Sequence, residues 1–166
     1  MNIQVVPAAY TMKPVLRRLL ELYEYDASEF DHRDLDAQGL YGYRYLDHYW
    51  TEEGRYAFFI RVSDALAGFA LVRTLDSPPG PAVYSMAEFF VLRKYRRAGV
   101  GRAAARQLFD RFHGRWSVSQ EANNLPAQQF WKRVIGEYSH GAYEESRADT
   151  GPLLLFDSSE ISGQAE

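Results

Sequence analysis

The chain contains no cysteine, which excludes disulfides, thiolate metal sites and any covalent intermediate carried on a cysteine. Its four histidines, His32, His48, His113 and His140, are scattered without the His-x-x-x-His type of spacing that holds a metal, so none is expected. No apolar run approaches membrane-spanning length, and no basic-then-apolar leader opens the chain. The expectation is a cytoplasmic protein without a membrane partner. Excess positive charge is missing too: 19 Lys and Arg against 22 Asp and Glu leave a net charge of −3. That balance speaks against a nucleic-acid partner and suits a cationic one. With 166 residues, 46% of them hydrophobic, the chain can bury one substantial core but hardly two. We expect one domain over residues 1–157 and a polar tail, 158–166, that frays.

Periodicity supplies the elements. Asn2 to Ala8 reads as a strand, and Thr11 is placed to cap a helix whose apolar positions Val15, Leu16, Leu19, Leu20 and Tyr23 recur at helical spacing. Acidic residues dominate from Glu21 to Asp36, and Tyr41, Tyr43, Tyr45, Tyr49 and Trp50 follow. Tyr56 to Val62 and Gly68 to Leu75 form an antiparallel hairpin about Ser63-Asp64, and Asp76 to Pro81 is too proline-rich to be a strand. Ala82 to Leu92 is a central strand, and Val100, Ala104, Leu108 and Phe112 mark the buried face of the next helix. Trp116 to Glu121 is then a strand parallel to the central one, because a helical crossover joins them. A helix over Asn124 to Ile135 and a closing hairpin, Glu137 to Glu145 with Pro152 to Phe156, complete the order.

The junction between the central strand and its helix carries the chemistry. Arg96-x-x-Gly99-x-Gly101 places two glycines where a helix begins, so backbone amides can approach a ligand closely and the helix dipole favours an anion. Arg93, Lys94, Arg96, Arg97, Arg102 and Arg106 crowd the same segment of an otherwise acidic chain, as suits a polyphosphate. The Gly-Lys-Ser/Thr of triphosphate loops and the three spaced glycines of dinucleotide folds are both absent.

This spacing resembles the pyrophosphate motif of the GNAT superfamily of N-acetyltransferases, and Asn124-x-x-Ala127-x-x-Phe130-Trp131 resembles that superfamily's segment beside the pantetheine arm of coenzyme A. The resemblance implies an α/β domain of mixed type, with a central, mostly antiparallel sheet, one parallel β-α-β unit and flanking helices. It implies acetyl-coenzyme A as co-substrate without a metal, bound by Val91, Leu92, Arg96, Arg97, Ala98, Gly99, Val100, Gly101, Arg102, Ala103, Asn124, Phe130 and Trp131. A backbone N–H at Val91 or Leu92 would polarise the acetyl carbonyl. The implied partner is a primary amine of a small molecule or peptide, and a homodimer stays open beside a monomer. Two departures matter. Arg93 and Arg97 replace proline and glycine of many relatives, and Trp131 stands where many have a tyrosine that protonates the leaving thiolate, which an indole cannot do. Either the thiolate leaves unaided or another tyrosine helps, with Tyr138 as the candidate at the start of the following strand.

From the residues themselves, Glu88 is a lone acid in an apolar strand. Burial among Met86, Phe89 and Phe90 would raise its pKa toward that of a useful base; pairing with an arginine or a place at the strand edge is the alternative. The acids and aromatics between Glu24 and Trp50 would attract an ammonium group or merely cover the sheet. A non-catalytic acyl-coenzyme A binding module is the competing reading, favoured by Trp131.

Overall fold

The computed structural model of the protein describes residues 1–75 and 80–161; most of the Asp76 to Pro81 loop and the last five residues of the expected tail lie outside them. One sheet holds β1 (Ile3–Pro7), β2 (Arg55–Val62), β3 (Ala65–Leu75), β4 (Val83–Val91), β5 (Arg115–Ser119), β6 (Glu144–Ala148) and β7 (Gly151–Asp157), in the order β1-β2-β3-β4-β5-β7-β6. Every neighbouring pair is antiparallel except β4 with β5. The crossover helix α3 (Val100–Arg111) accounts for that exception, since only a long connection returns a chain to run parallel. This is the mixed fold expected.

Helices cover both faces. On one side α1 (Lys13–Asp31) and α2 (His48–Thr51) bury Leu16, Leu19, Leu20 and Tyr49 against Phe59, Phe69 and Leu71. On the other, α3 and α4 (Leu125–Tyr138) bury Leu108, Phe109, Trp131 and Ile135 against Phe58, Val72, Trp116 and Phe156. With no wet face, the central strands do not alternate: Ala57 to Ile60 and Ala67 to Val72 are buried without interruption. The outer strand β6 is the opposite case, exposed at every residue.

Two local expectations are corrected. Thr11 does not cap α1: it sits in a 3-10 turn, Tyr10–Met12, and the helix starts after it with Pro14 in the first turn and no side-chain cap. Helix α4 runs past Gly136 to Tyr138, so no strand begins at Glu137. It stops at His140 and Gly141, both with positive φ, where the Gly141 N–H closes on the Gly136 carbonyl at 2.9 Å. Ser158, the first residue after β7, is held by the fold. Ser158 is buried, its hydroxyl donates to the Phe112 carbonyl at 3.1 Å, and its N–H reaches the Gly114 carbonyl at 2.8 Å.

Gly68 of β3 lies opposite Val91 at the functional end of β4. A Cβ there would stand 1.9 Å from the Phe90 carbonyl oxygen, a backbone atom that no rotamer change can move. Gly68→Ala should therefore cost about 2 kcal/mol or more, read as a lower urea midpoint at unchanged slope.

Candidate functional site

The site forms where β4 outruns its neighbour. Pairing with β5 covers only Val83, Tyr84 and Ser85, so from Met86 to Val91 β4 has no strand on that side. On its other side the register with β3 shifts between Leu71, opposite Glu88, and Val72, opposite Met86, leaving Ala87 as a bulge. The surplus residue resets which face each side chain meets. Met86 and Phe89 both join the core beneath α3 and α4, whereas Ala87 joins the core beneath α1. Strict alternation from Met86 would have sent Glu88 into the α3–α4 core. The bulge turns it toward α1.

There Glu88 meets tyrosines. Tyr23 of α1, packed edge-on against Phe69 and Phe90 with centroids 5.6 Å away, lies beside the Glu88 carboxylate, close enough for its hydroxyl to act on it. Burial is the main influence on Glu88 and raises its pKa to about 7; the Tyr23 hydroxyl and Arg33 pull it down, while Glu24 and Glu121 push it up. Burial likewise raises Tyr23 and Tyr43, each further raised by the Glu88 charge, so both stay protonated donors. Burial also raises Glu24, against the pull of Arg33, its ion-pair partner.

At the tip of β4 the chain turns through Arg93–Tyr95 into the glycine loop. Gly99 caps α3 in the left-handed region, φ 80°. The Ala103 N–H is committed to the Gly99 carbonyl at 3.0 Å, whereas the amides of residues 97–102 find no backbone acceptor among the described residues. A cluster of unpaired amides at a helix start fits an anionic pyrophosphate. Gly101 lets the loop close on its neighbours, for a Cβ there would lie 3.1 Å from the Phe130 ring. Phe130 stacks on Phe89 and Trp131 meets it edge-on, at 5.9 and 4.9 Å between centroids, on the α4 side of the strand end. Val91, Arg96, Gly101, Phe89, Phe130 and Trp131 thus lie together at the end of β4, with Glu88 turned to the α1 side of the strand.

Other expected site residues sit differently. The Leu92 N–H is bound to the Ala67 carbonyl at 2.8 Å, so of the two amides considered for a carbonyl only Val91 faces the vacant side of β4. The Arg96 guanidinium points away from the loop amides, onto the Val91 carbonyl and Asp26. Asn124 spends its side-chain oxygen capping α4 through the Ala127 N–H at 3.1 Å. Tyr138 is buried at the far end of α4, about 10 Å along the helix from Trp131, with its hydroxyl donating to Asp110 at 2.8 Å. It is not brought to the end of β4.

Much of the acidic run is spent on structure. Glu21 accepts the Tyr41 and Gly42 amides at 2.9 and 3.0 Å, Asp36 accepts those of Gln38 and Leu40, Glu24 and Asp31 pair with Arg33, and Asp26 pairs with Arg93 and Arg96. Reasoning from the sequence missed Tyr23 as the partner of Glu88; its signal was a hydroxyl-bearing ring closing an otherwise aliphatic helical stripe.

The family model "Acetyltransferase (GNAT) family" matches residues 18–136, so the chain belongs to the GNAT family of acetyltransferases. No curated protein sequence matches it. Among solved structures it is similar to a GNAT-family acetyltransferase of Staphylococcus aureus (14% identity, 95% of this chain and 99% of that one covered, TM-score 0.63). It is also similar to Arabidopsis thaliana NAA60 in complex with a bisubstrate analogue (12%, 94% and 98%, 0.64). A third likeness is to a ribosomal-protein-alanine N-acetyltransferase of Brucella melitensis (15%, 81% and 91%, 0.60). At these identities the likeness is one of fold. Among the described residues no helix is long and apolar enough to cross a membrane.

Two measurements probe the site without turnover. Arg97 takes φ 61°, a left-handed conformation that glycine adopts freely and a long side chain such as arginine does not, and among the described residues it has no ion-pair partner. Arg97→Gly should raise stability by about 0.5 kcal/mol, the relieved strain less the added unfolded-chain entropy, while weakening coenzyme A binding through loss of a cation. Glu88 binds its proton more tightly in the folded protein, at about 7 against an ordinary 4.5. Between those values the folded state carries the extra proton, so stability falls as pH rises and stays lower above 7. Glu88→Gln should accordingly melt a few degrees above the wild type at pH 8, an advantage that shrinks by pH 5.

Proposed function

We propose that the protein transfers an acetyl group from acetyl-coenzyme A to a primary amine of a small molecule or peptide, by direct attack with both substrates bound. One observation carries this reading: the bulge at Ala87 directs the only acid of β4 to the α1 side of a strand whose end leads into a pyrophosphate-ready row of amides. Acetyl-coenzyme A supplies an activated thioester, and the chain supplies position and proton transfer. The amides of residues 97–102 hold the pyrophosphate, and the Phe89, Phe130 and Trp131 rings flank the arm leading from it. Val91, with its N–H on the vacant edge of β4, donates to the acyl carbonyl and stabilises the charge that grows there.

An amine arrives as ammonium and attacks only after losing a proton. Glu88, with a pKa near 7, is partly ionised at neutral pH and accepts that proton directly or through a water. The Tyr23 hydroxyl lies beside its carboxylate. Trp131 has no acidic proton to give and Tyr138 is held by Asp110, so the thiolate leaves without a side-chain acid, as its moderate pKa permits. The absence of cysteine agrees with direct transfer. The rings of Tyr41 and Tyr43 and the Arg33 side chain border the acceptor side, the place for an amine-bearing small molecule or peptide end.

Thiol release from acetyl-coenzyme A against a panel of primary amines tests the reading. Wild-type protein should turn over with intersecting lines in double-reciprocal plots and yield no acetylated enzyme. Glu88→Gln should bind coenzyme A normally but lose about 10²-fold in kcat together with the acidic limb near pH 7. Gly101→Val, pressing on Phe130, should weaken coenzyme A binding at least about tenfold. Binding without thiol release would instead identify a non-catalytic acyl-coenzyme A module, the reading Trp131 favours.

A further inference from the structure

Arg96 occupies the first position of the glycine-loop motif, yet its side chain serves the strand before the loop. Its Nε donates to the Val91 carbonyl at 2.8 Å, one terminal nitrogen donates to Asp26 of α1 at 2.9 Å, and its plane lies over the Phe90 ring, 5.6 Å from the centroid. The other oxygen of Asp26 takes Arg93 at 3.0 Å. On the far side of the same peptide group, the Leu92 N–H is held by the Ala67 carbonyl. The Val91–Leu92 peptide is thus pinned at both ends, by a side chain at its oxygen and by β3 at its nitrogen. Val91 cannot rotate without breaking one of these bonds.

We propose that Arg96 is a positioning residue: braced by Asp26, it fixes the backbone at the end of β4 so that the Val91 N–H faces the acyl carbonyl, and it ties that strand end to α1, which carries Tyr23. This rests on the proposed role of the Val91 N–H. Arginine is required here because Nε and a terminal nitrogen of one rigid fork address two acceptors lying in different elements; a lysine ammonium on a flexible stem does not reproduce that geometry. The ion pair alone is worth little, since Arg96 and Asp26 expose 38% and 30% of their side chains. The bond to the backbone carbonyl is the specific part.

The experiment compares Arg96→Gln, Arg96→Lys and Asp26→Asn in the full chain by three readings: amide exchange at Leu92 without ligand, coenzyme A affinity by calorimetry at two salt concentrations, and kcat. For both Arg96 variants, Leu92 exchange should rise about tenfold while the slowest amides of the core change little. Coenzyme A affinity should stay within about threefold, and kcat should fall about tenfold at nearly constant KM for acetyl-coenzyme A, without rescue by lysine. Asp26→Asn keeps Arg96 in place and should show the same split to a smaller degree, which preserves the test if Arg96→Gln does not fold. A tenfold loss of coenzyme A affinity with a shallower salt dependence would make Arg96 a phosphate ligand and overturn the proposal. Unchanged Leu92 exchange would reduce it to a surface ion pair and overturn it equally. Should the wild type release no thiol with any amine, the transfer reading fails by itself, while exchange and affinity still decide what Arg96 holds.

Discussion

A single surplus residue in β4 determines the working geometry of this protein. With Ala87 bulged out of register against β3, Glu88 faces α1 and Phe89 faces α4, the reverse of what strict alternation from Met86 would give. A carboxylate and an aromatic wall are thereby set on opposite sides of one strand end, within reach of a backbone N–H that no neighbouring strand consumes. The early parting of β4 from β5 leaves the width needed between them, and a bulge, which bends and twists its strand, is a physical means of separating strands that begin as partners.

Helix α1 joins the two halves of the arrangement. It reaches Glu88 through Tyr23, the loop after β4 through Asp26, and the Tyr41–Gly42 segment through Glu21, whose carboxylate accepts both amides. An acidic stretch that would otherwise repel itself is neutralised piece by piece by arginines and amide hydrogens. The partly buried Glu88 is left as a carboxylate beside a phenol, its proton affinity set chiefly by burial.

The element order and the glycine loop were legible in the sequence, because both depend on local chemistry: apolar period, a helix start with two glycines, and a crossover long enough to demand a parallel strand. The bulge was not. Its neighbours Met86, Ala87, Phe89 and Phe90 are all apolar, so an apolar run hides the register, and only pairing with β3 reveals which residue is extra. Tyr138 was misplaced because Gly136 reads as a stop, whereas tertiary packing carries the helix through it to a glycine five residues further on. The acids of residues 21–36 looked like a surface for cations because a sequence cannot show which carboxylates fold back onto their own loop amides.

The outer strand β6 has a consequence for how the protein behaves in a crowded solution. It closes the sheet with an open row of backbone donors and acceptors, the kind of edge onto which a foreign strand can add. Its residues, Glu144, Glu145, Ser146, Arg147 and Ala148, are short on hydrophobic area and rich in charge, and all are exposed. A strand arriving there would gain ladder bonds but would have to strip water from three ionised side chains and find no apolar surface in return. The edge is therefore guarded by composition, without a covering helix, and a chain that is 46% hydrophobic presents a poorly adhesive segment at this end of the sheet, where a foreign strand could otherwise extend it.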